Sequence, residues 1–129
     1  MTRCLWIVLL LVYAAGIATV SHQPLGEGIS AFPHADKVVH VVEFAVFFVL
    51  AWLASGRRVK WSLALSVAFA VSDEIHQAFV PTRDASALDL LADGAGMAIA
   101  YGLLQAGTPL WRRFRGRILG RDVRRKGAK

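Results

Sequence analysis

The chain has 129 residues, one domain's worth, of which 56% are hydrophobic, and its mean hydropathy is +0.49. One cysteine, Cys4, excludes an intrachain disulfide and any cysteine-cluster metal site. The net charge of +6 comes mainly from Lys and Arg beyond residue 111, so a uniformly basic soluble surface is excluded as well. An integral membrane protein fits these constraints.

Residues 4–20 form a first apolar run behind Arg3. A helix needs about 20 mostly apolar residues to span a bilayer, with roughly 17 as the lower limit. The alternative is a cleavable signal peptide ending near Ala14-Ala15-Gly16. The run is long enough to span, and an even number of helices brings the basic tail back to the same side. Residues 21–37 hold two prolines and two glycines and read as a loop or re-entrant segment. A second run covers 38–54, apolar except for His40 and Glu43. The basic connection 55–60 leads to a third run, 61–80, which turns polar at Asp73. After a turn at 81–86, a fourth run covers 87–106 and stops before Gly107 and Pro109.

The expected fold is therefore all-α, a four-helix transmembrane bundle over residues 1–110, followed by a basic tail at 111–129. A basic tail invites a nucleic-acid reading. Fixing topology is the better account, because Lys and Arg concentrate on the cytoplasmic side and also attract anionic head groups. With both termini inside, Arg3, the Arg57-Arg58-Lys60 loop and the tail all lie in the cytoplasm. The outer loops then carry only Glu27, Asp36, Lys37, Arg83 and Asp84 as charged residues.

The polar residues are concentrated where lipid would penalise them most, and an intramembrane ionisable residue is by default a functional-site hypothesis. Residues 72–96 place Asp73, Glu74, His76, Gln77, Arg83, Asp84, Asp89 and Asp93 between two apolar runs. Asp36, His40 and Glu43 fall at i, i+4, i+7; Asp73, His76 and Gln77 at i, i+3, i+4; Asp89 and Asp93 at i, i+4. Each of three helices thus offers a polar stripe toward the same membrane face, and the stripes are expected to line one outward cleft.

Two chemistries follow. In one, a carboxylate and a histidine act as general base and acid while Arg83 and Lys37 hold an anion such as a lipid phosphate. In the other, His40, His76 and one or two carboxylates bind a divalent metal that activates water. Lone Glu43 or Asp84 reads as helix glue or a solvated group, and His22 and His34 as solvated loop residues. The small-residue stripes Gly94-Ala98-Gly102-Ala106 and Ala92-Gly96-Ala100 read as close helix packing.

The pattern Asp36-Lys37-x-x-His40-x-x-Glu43-Phe44, then Asp73-Glu74-x-His76-Gln77-x-Phe79-x-Pro81-x-Arg83, then Ser86-x-x-Asp89-x-x-x-Asp93-x-x-Gly96 resembles the VanZ-like family of small bacterial membrane proteins. The resemblance covers roughly residues 20–105. Asp93 stands where the family usually has Asn, and Thr82 where Gly is usual. The resemblance implies a role in the bacterial cell envelope, and the family's namesake is associated with low-level teicoplanin (glycopeptide) resistance. It supplies no reaction.

Taken together, Asp73, Glu74, His76, His40 and Asp89 are the acid/base or metal-binding candidates. Arg83, Lys37, Asp36, Gln77 and Asp93 are the substrate-binding ones. The expected partners are membrane lipids, with a lipid-linked cell-wall precursor or a glycopeptide as ligand, and no nucleic acid. The expected site binds, and hydrolyses or transfers, a lipid-linked anionic group in the inner membrane. The alternatives are a lipid or proton carrier, which four helices would serve only as a homo-oligomer, and a non-catalytic envelope scaffold.

Overall fold

The computed structural model describes residues 3–22, 35–81 and 85–126, with side chains described as far as residue 107. It is all-α, with four helices: α1 Arg3–Ser21, α2 Ala35–Ala54, α3 Val59–Gln77 and α4 Ala87–Lys126. Among the described residues, three segments are long and apolar enough to cross a membrane: α1, α2 and the first 21 residues of α4. The chain is thus a multi-pass membrane protein by helix length and composition. Helix α3 has a similar length, 19 residues, but carries Lys60, Asp73 and Glu74. The outer faces are apolar, with Val8, Leu11, Val12, Leu65, Leu91 and Leu103 all exposed. Water would penalise such a surface, and hydrocarbon would not.

Helix α2 contacts all three of the others. One face buries Phe47, Ala51 and Ala54 against Leu10 and Ile17 of α1. Another buries Phe44 and Phe48 against Ala70 of α3 and Met97 and Ala100 of α4. Phe47 stacks on Phe69 with centroids 4.5 Å apart, and Phe44 lies 6.1 Å from the same ring. This aromatic cluster begins one turn below His40 and forms a dry floor beneath the polar end of the bundle.

The opposite end is closed by the α2–α3 turn. Gly56 adopts φ 74°, its N–H reaches Leu53 O at 3.2 Å, and the Arg57 N–H reaches Trp52 O at 2.7 Å. That hydrogen-bond pair is a Schellman cap, which needs a left-handed residue just past the helix and favours glycine there. Arg3 donates from Nε to Ala54 O at 3.0 Å and from Nη2 to Ser55 O at 3.3 Å. A cation thereby covers the negative end of α2. The chain's start and the basic 57–60 connection accordingly lie at the same end of the bundle.

Two expectations change. The helix stop expected before Gly107 and Pro109 is not there: α4 runs 40 residues to Lys126. Pro109 deletes one backbone donor, a local cost that the flanking turns outweigh. The two small-residue stripes also differ in role. Ala92, Gly96 and Ala100 are buried, whereas Gly94, Ala98 and Gly102 are exposed. Gly96 lies directly on α2: a Cβ there would collide with the Val41 carbonyl oxygen and come within 3.0 Å of Ala45 N. Backbone cannot yield as a side-chain tip can. Gly96→Ala should therefore destabilise the bundle by about 1–3 kcal/mol, as overpacking does. Gly102, with nothing within 4 Å of its would-be Cβ, should tolerate alanine. Thermal melts of the two variants in detergent test the contrast.

Candidate functional site

The polar groups begin from helix ends. α2 opens with Ala35-Asp36-Lys37, placing carboxylate and ammonium in its first turn. α4 opens behind Ser86, whose Oγ accepts the Leu88 N–H at 3.2 Å as a helix cap. The Ser86 N–H in turn donates to Glu74 Oε2 at 2.8 Å. Glu74, in the last turn of α3, therefore pins the start of α4, and the three helix ends meet.

Where they meet, side chains from all three helices touch. His40 Nδ1 bonds Asp93 Oδ1 at 2.9 Å. Lys37 Nζ donates to Asp36 Oδ2 at 2.8 Å and also bonds Asp89 Oδ1. His40, Glu74 and Asp89 each offer a ligand atom, and the three atoms lie within 4.8 Å of one another. All three residues are buried, as is Asp93, which is 1% exposed. Two oxygens in this cluster, Glu74 Oε1 and Asp93 Oδ2, are buried without a hydrogen-bond partner. Unsatisfied buried carboxylate oxygens are costly, so a site that retains them needs a reason for doing so.

A second polar group lies between α1 and α3. Asp73 Oδ2 accepts from Ser21 Oγ at 3.0 Å and from Gln77 Nε2 at 2.8 Å. His22 Nδ1 and His76 Nε2 are 3.3 Å apart with the rings stacked, centroids at 5.3 Å. The stripe Asp73-His76-Gln77 does share a face of α3, but that face turns toward the end of α1. Glu74, next in sequence to Asp73, is the α3 group that joins His40 and Asp89.

Of the sequence-derived candidates, then, Asp36, Lys37, His40, Glu74, Asp89 and Asp93 are brought together. Asp73, His76 and Gln77 form a neighbouring group, so the histidine beside the α2–α4 carboxylates is His40 without His76. Arg83 lies outside the described residues, as do Thr82, Asp84, Glu27 and His34. Three contributors were missed. Ser21 ends α1, a helix credited with no polar role, His22 follows it directly, and Ser86 acts through its backbone. His22 lies beyond the end of α1 and is exposed, as a solvated loop residue would be, but it also stacks on His76; its place just after the first apolar run was the available signal. Glu43 keeps a structural role at its backbone, where its carbonyl accepts the Tyr13 hydroxyl at 3.3 Å.

A family model, VanZ/LLP1, matches residues 5–111. With most of the chain inside that match, this protein belongs to the VanZ/LLP1 family. No curated protein and no solved structure shows significant similarity to it.

The Lys37–Asp89 contact is open to a direct test. Asp89 is largely buried, its side chain only 8% exposed, and removing one partner of a buried pair leaves an uncompensated charge. Lys37→Met should cost about 3 kcal/mol. Lys37→Met combined with Asp89→Leu should recover most of that loss. A double-mutant cycle read by thermal unfolding gives the coupling.

Proposed function

We propose that this VanZ/LLP1 protein acts in the bacterial cell envelope, where its α2–α3–α4 pocket binds a lipid-linked anionic group and hydrolyses or transfers it. One observation carries the reading: five ionisable side chains from three helices, Lys37, His40, Glu74, Asp89 and Asp93, converge at one end of an otherwise apolar bundle. Helix adhesion alone needs only modest polar contacts, worth about 1 kcal/mol each. Burying this many full charges costs far more than adhesion returns.

In this reading His40 is the side chain that faces the ligand. Asp93 fixes its ring through Nδ1, which leaves Nε2 for the ligand, an arrangement that sets both tautomer and direction. Glu74 supplies a second carboxylate, and its bond to Ser86 holds it in place. Lys37 and Arg83 provide positive charge for the anion, with Asp89 orienting Lys37. The phenylalanine floor below His40 excludes water and strengthens each electrostatic contact.

The orientation follows from charge. Arg3, Arg57, Arg58 and Lys60 belong to the end opposite the site, so the positive-inside rule faces the site outward and leaves both termini in the cytoplasm. Helix α3 then crosses as the fourth span, its charged residues confined to its ends. A carrier needs its binding groups near the midplane; these lie at one end. A single cysteine introduced at Arg58 in a Cys4→Ser background should resist an impermeant thiol reagent applied to whole cells. One introduced at Ala85 should react. The reverse pattern would overturn the orientation.

Native mass spectrometry of the detergent-purified protein tests the ligand. The wild type should carry an anionic lipid-linked species that His40→Gln and Glu74→Gln lose by about tenfold or more while staying folded. Equal lipid occupancy in all three proteins would end this reading.

A further inference from the structure

The site poses a problem for any anionic ligand. Among the described residues it gathers four carboxylates, Asp36, Glu74, Asp89 and Asp93, around one lysine and one histidine. Lys37 is already engaged by two of them. Such an acidic cluster repels an anion, and its own charges repel one another in a poorly screened setting.

We infer that His40, Glu74 and Asp89 form a binding site for one divalent transition-metal ion, of the Zn2+ or Mn2+ class. This rests on the preceding reading of the pocket as the ligand site and deepens it. The ligand atoms come from three helices and lie within 4.8 Å of one another. Three ligand atoms about 2.0–2.2 Å from one ion lie about 3.3–3.8 Å from each other, so closing onto one ion needs a pairwise contraction of at most about 1.5 Å, within reach of side-chain rotation.

Two further features point to a cation and are independent of the spacing. Glu74, only 8% exposed, keeps Oε1 buried with no hydrogen-bond partner. A metal–oxygen bond would satisfy it. The Nδ1 nitrogen of His40 is held by Asp93 at 2.9 Å, and Asp93 is almost wholly buried. A carboxylate on the far nitrogen of an imidazole is the recurring outer support of metal-bound histidine, fixing the ring and raising its basicity.

The donor set selects the ion class. One imidazole with two carboxylates suits Zn2+ or Mn2+ better than Ca2+ or Mg2+, which take oxygen shells. Three protein ligands leave at least one coordination position for water or for an oxygen of the ligand. The ion would also cancel two of the excess negative charges, turning an anion-repelling pocket into an anion-accepting one. Lys37, holding Oδ1 of Asp89, leaves Oδ2 for the metal and is the positioning residue on that side.

The full chain, purified in detergent, stripped with a chelator and desalted, can be titrated with Zn2+ and separately with Mn2+. Expected is one tightly bound ion per chain that a large excess of Ca2+ or Mg2+ does not displace. Glu74→Gln and Asp89→Asn should weaken it by about tenfold or more, and Asp93→Ala by about 10- to 100-fold. His22→Ala, which alters the neighbouring histidine pair only, should leave it unchanged. Pulsed EPR of the Mn2+-loaded wild type should show coupling to an imidazole nitrogen, and this needs no variant to fold.

No stoichiometric binding, no nitrogen coupling, or binding lost in His22→Ala but kept in Glu74→Gln and Asp89→Asn would overturn the site. The lipid reading fails separately. Metal bound with no lipid-linked species keeps the ion and removes that ligand; a lipid-linked species retained by a protein that binds no metal removes the ion alone.

Discussion

Gly96 brings the backbones of α2 and α4 together, and the rest of the polar end depends on that approach. With no side chain at this position, α4 lies against the Val41 carbonyl and the Ala45 amide. Val41 follows His40 directly, and Gly96 lies three residues after Asp93, so the contact that joins the two backbones also sets the 2.9 Å His40–Asp93 bond. A bulkier residue would separate the helices and leave two buried polar groups without each other. In hydrocarbon the penalty for that is larger than in water, because no solvent is present to take over either bond.

The two ends of the bundle are chemically opposite, and each follows from helix ends as much as from residue choice. At the α2–α3 turn the exposed carbonyls of α2 meet Arg3, and Arg57 lies 5.3 Å over the Trp52 ring. At the other end the N-termini of α2 and α4 come together, and helix N-termini favour carboxylates. Asp36, Asp89 and Asp93 all lie in the first two turns of their helices. The macrodipoles offset part of the cost of grouping so many acids, and Lys37 offsets a further part. Among the described residues, the four carboxylates still outnumber the cations beside them.

Between these ends the bundle is held by aromatic stacking and small-residue contacts, with the serines of α3, Ser62 and Ser66, fully buried. The Asp73–Ser21–Gln77 group fastens α1 to α3 beside the site. Helix α1 thereby becomes part of the polar end, although its own sequence is almost entirely apolar. It closes one side of the bundle and leaves α2, α3 and α4 to supply the His40, Glu74 and Asp89 cluster.

The sequence by itself determined the helices and their order, because an apolar run of about 20 residues has few alternatives in or out of a membrane. It also determined which polar residues share a face within one helix: Asp36 with His40, Asp89 with Asp93, and Asp73 with Gln77 all follow the helical period. Only the tertiary structure decided which faces meet. Asp73 and Glu74 are adjacent, about 100° apart around α3, and nothing in the local sequence says that one turns to α1 and the other to His40. That outcome rests on helix rotation and on the α2–α4 approach at Gly96, which are properties of packing between segments far apart in the chain. The length of α4 was decided the same way, since Gly107 and Pro109 state a local preference that the continuing helix overrides.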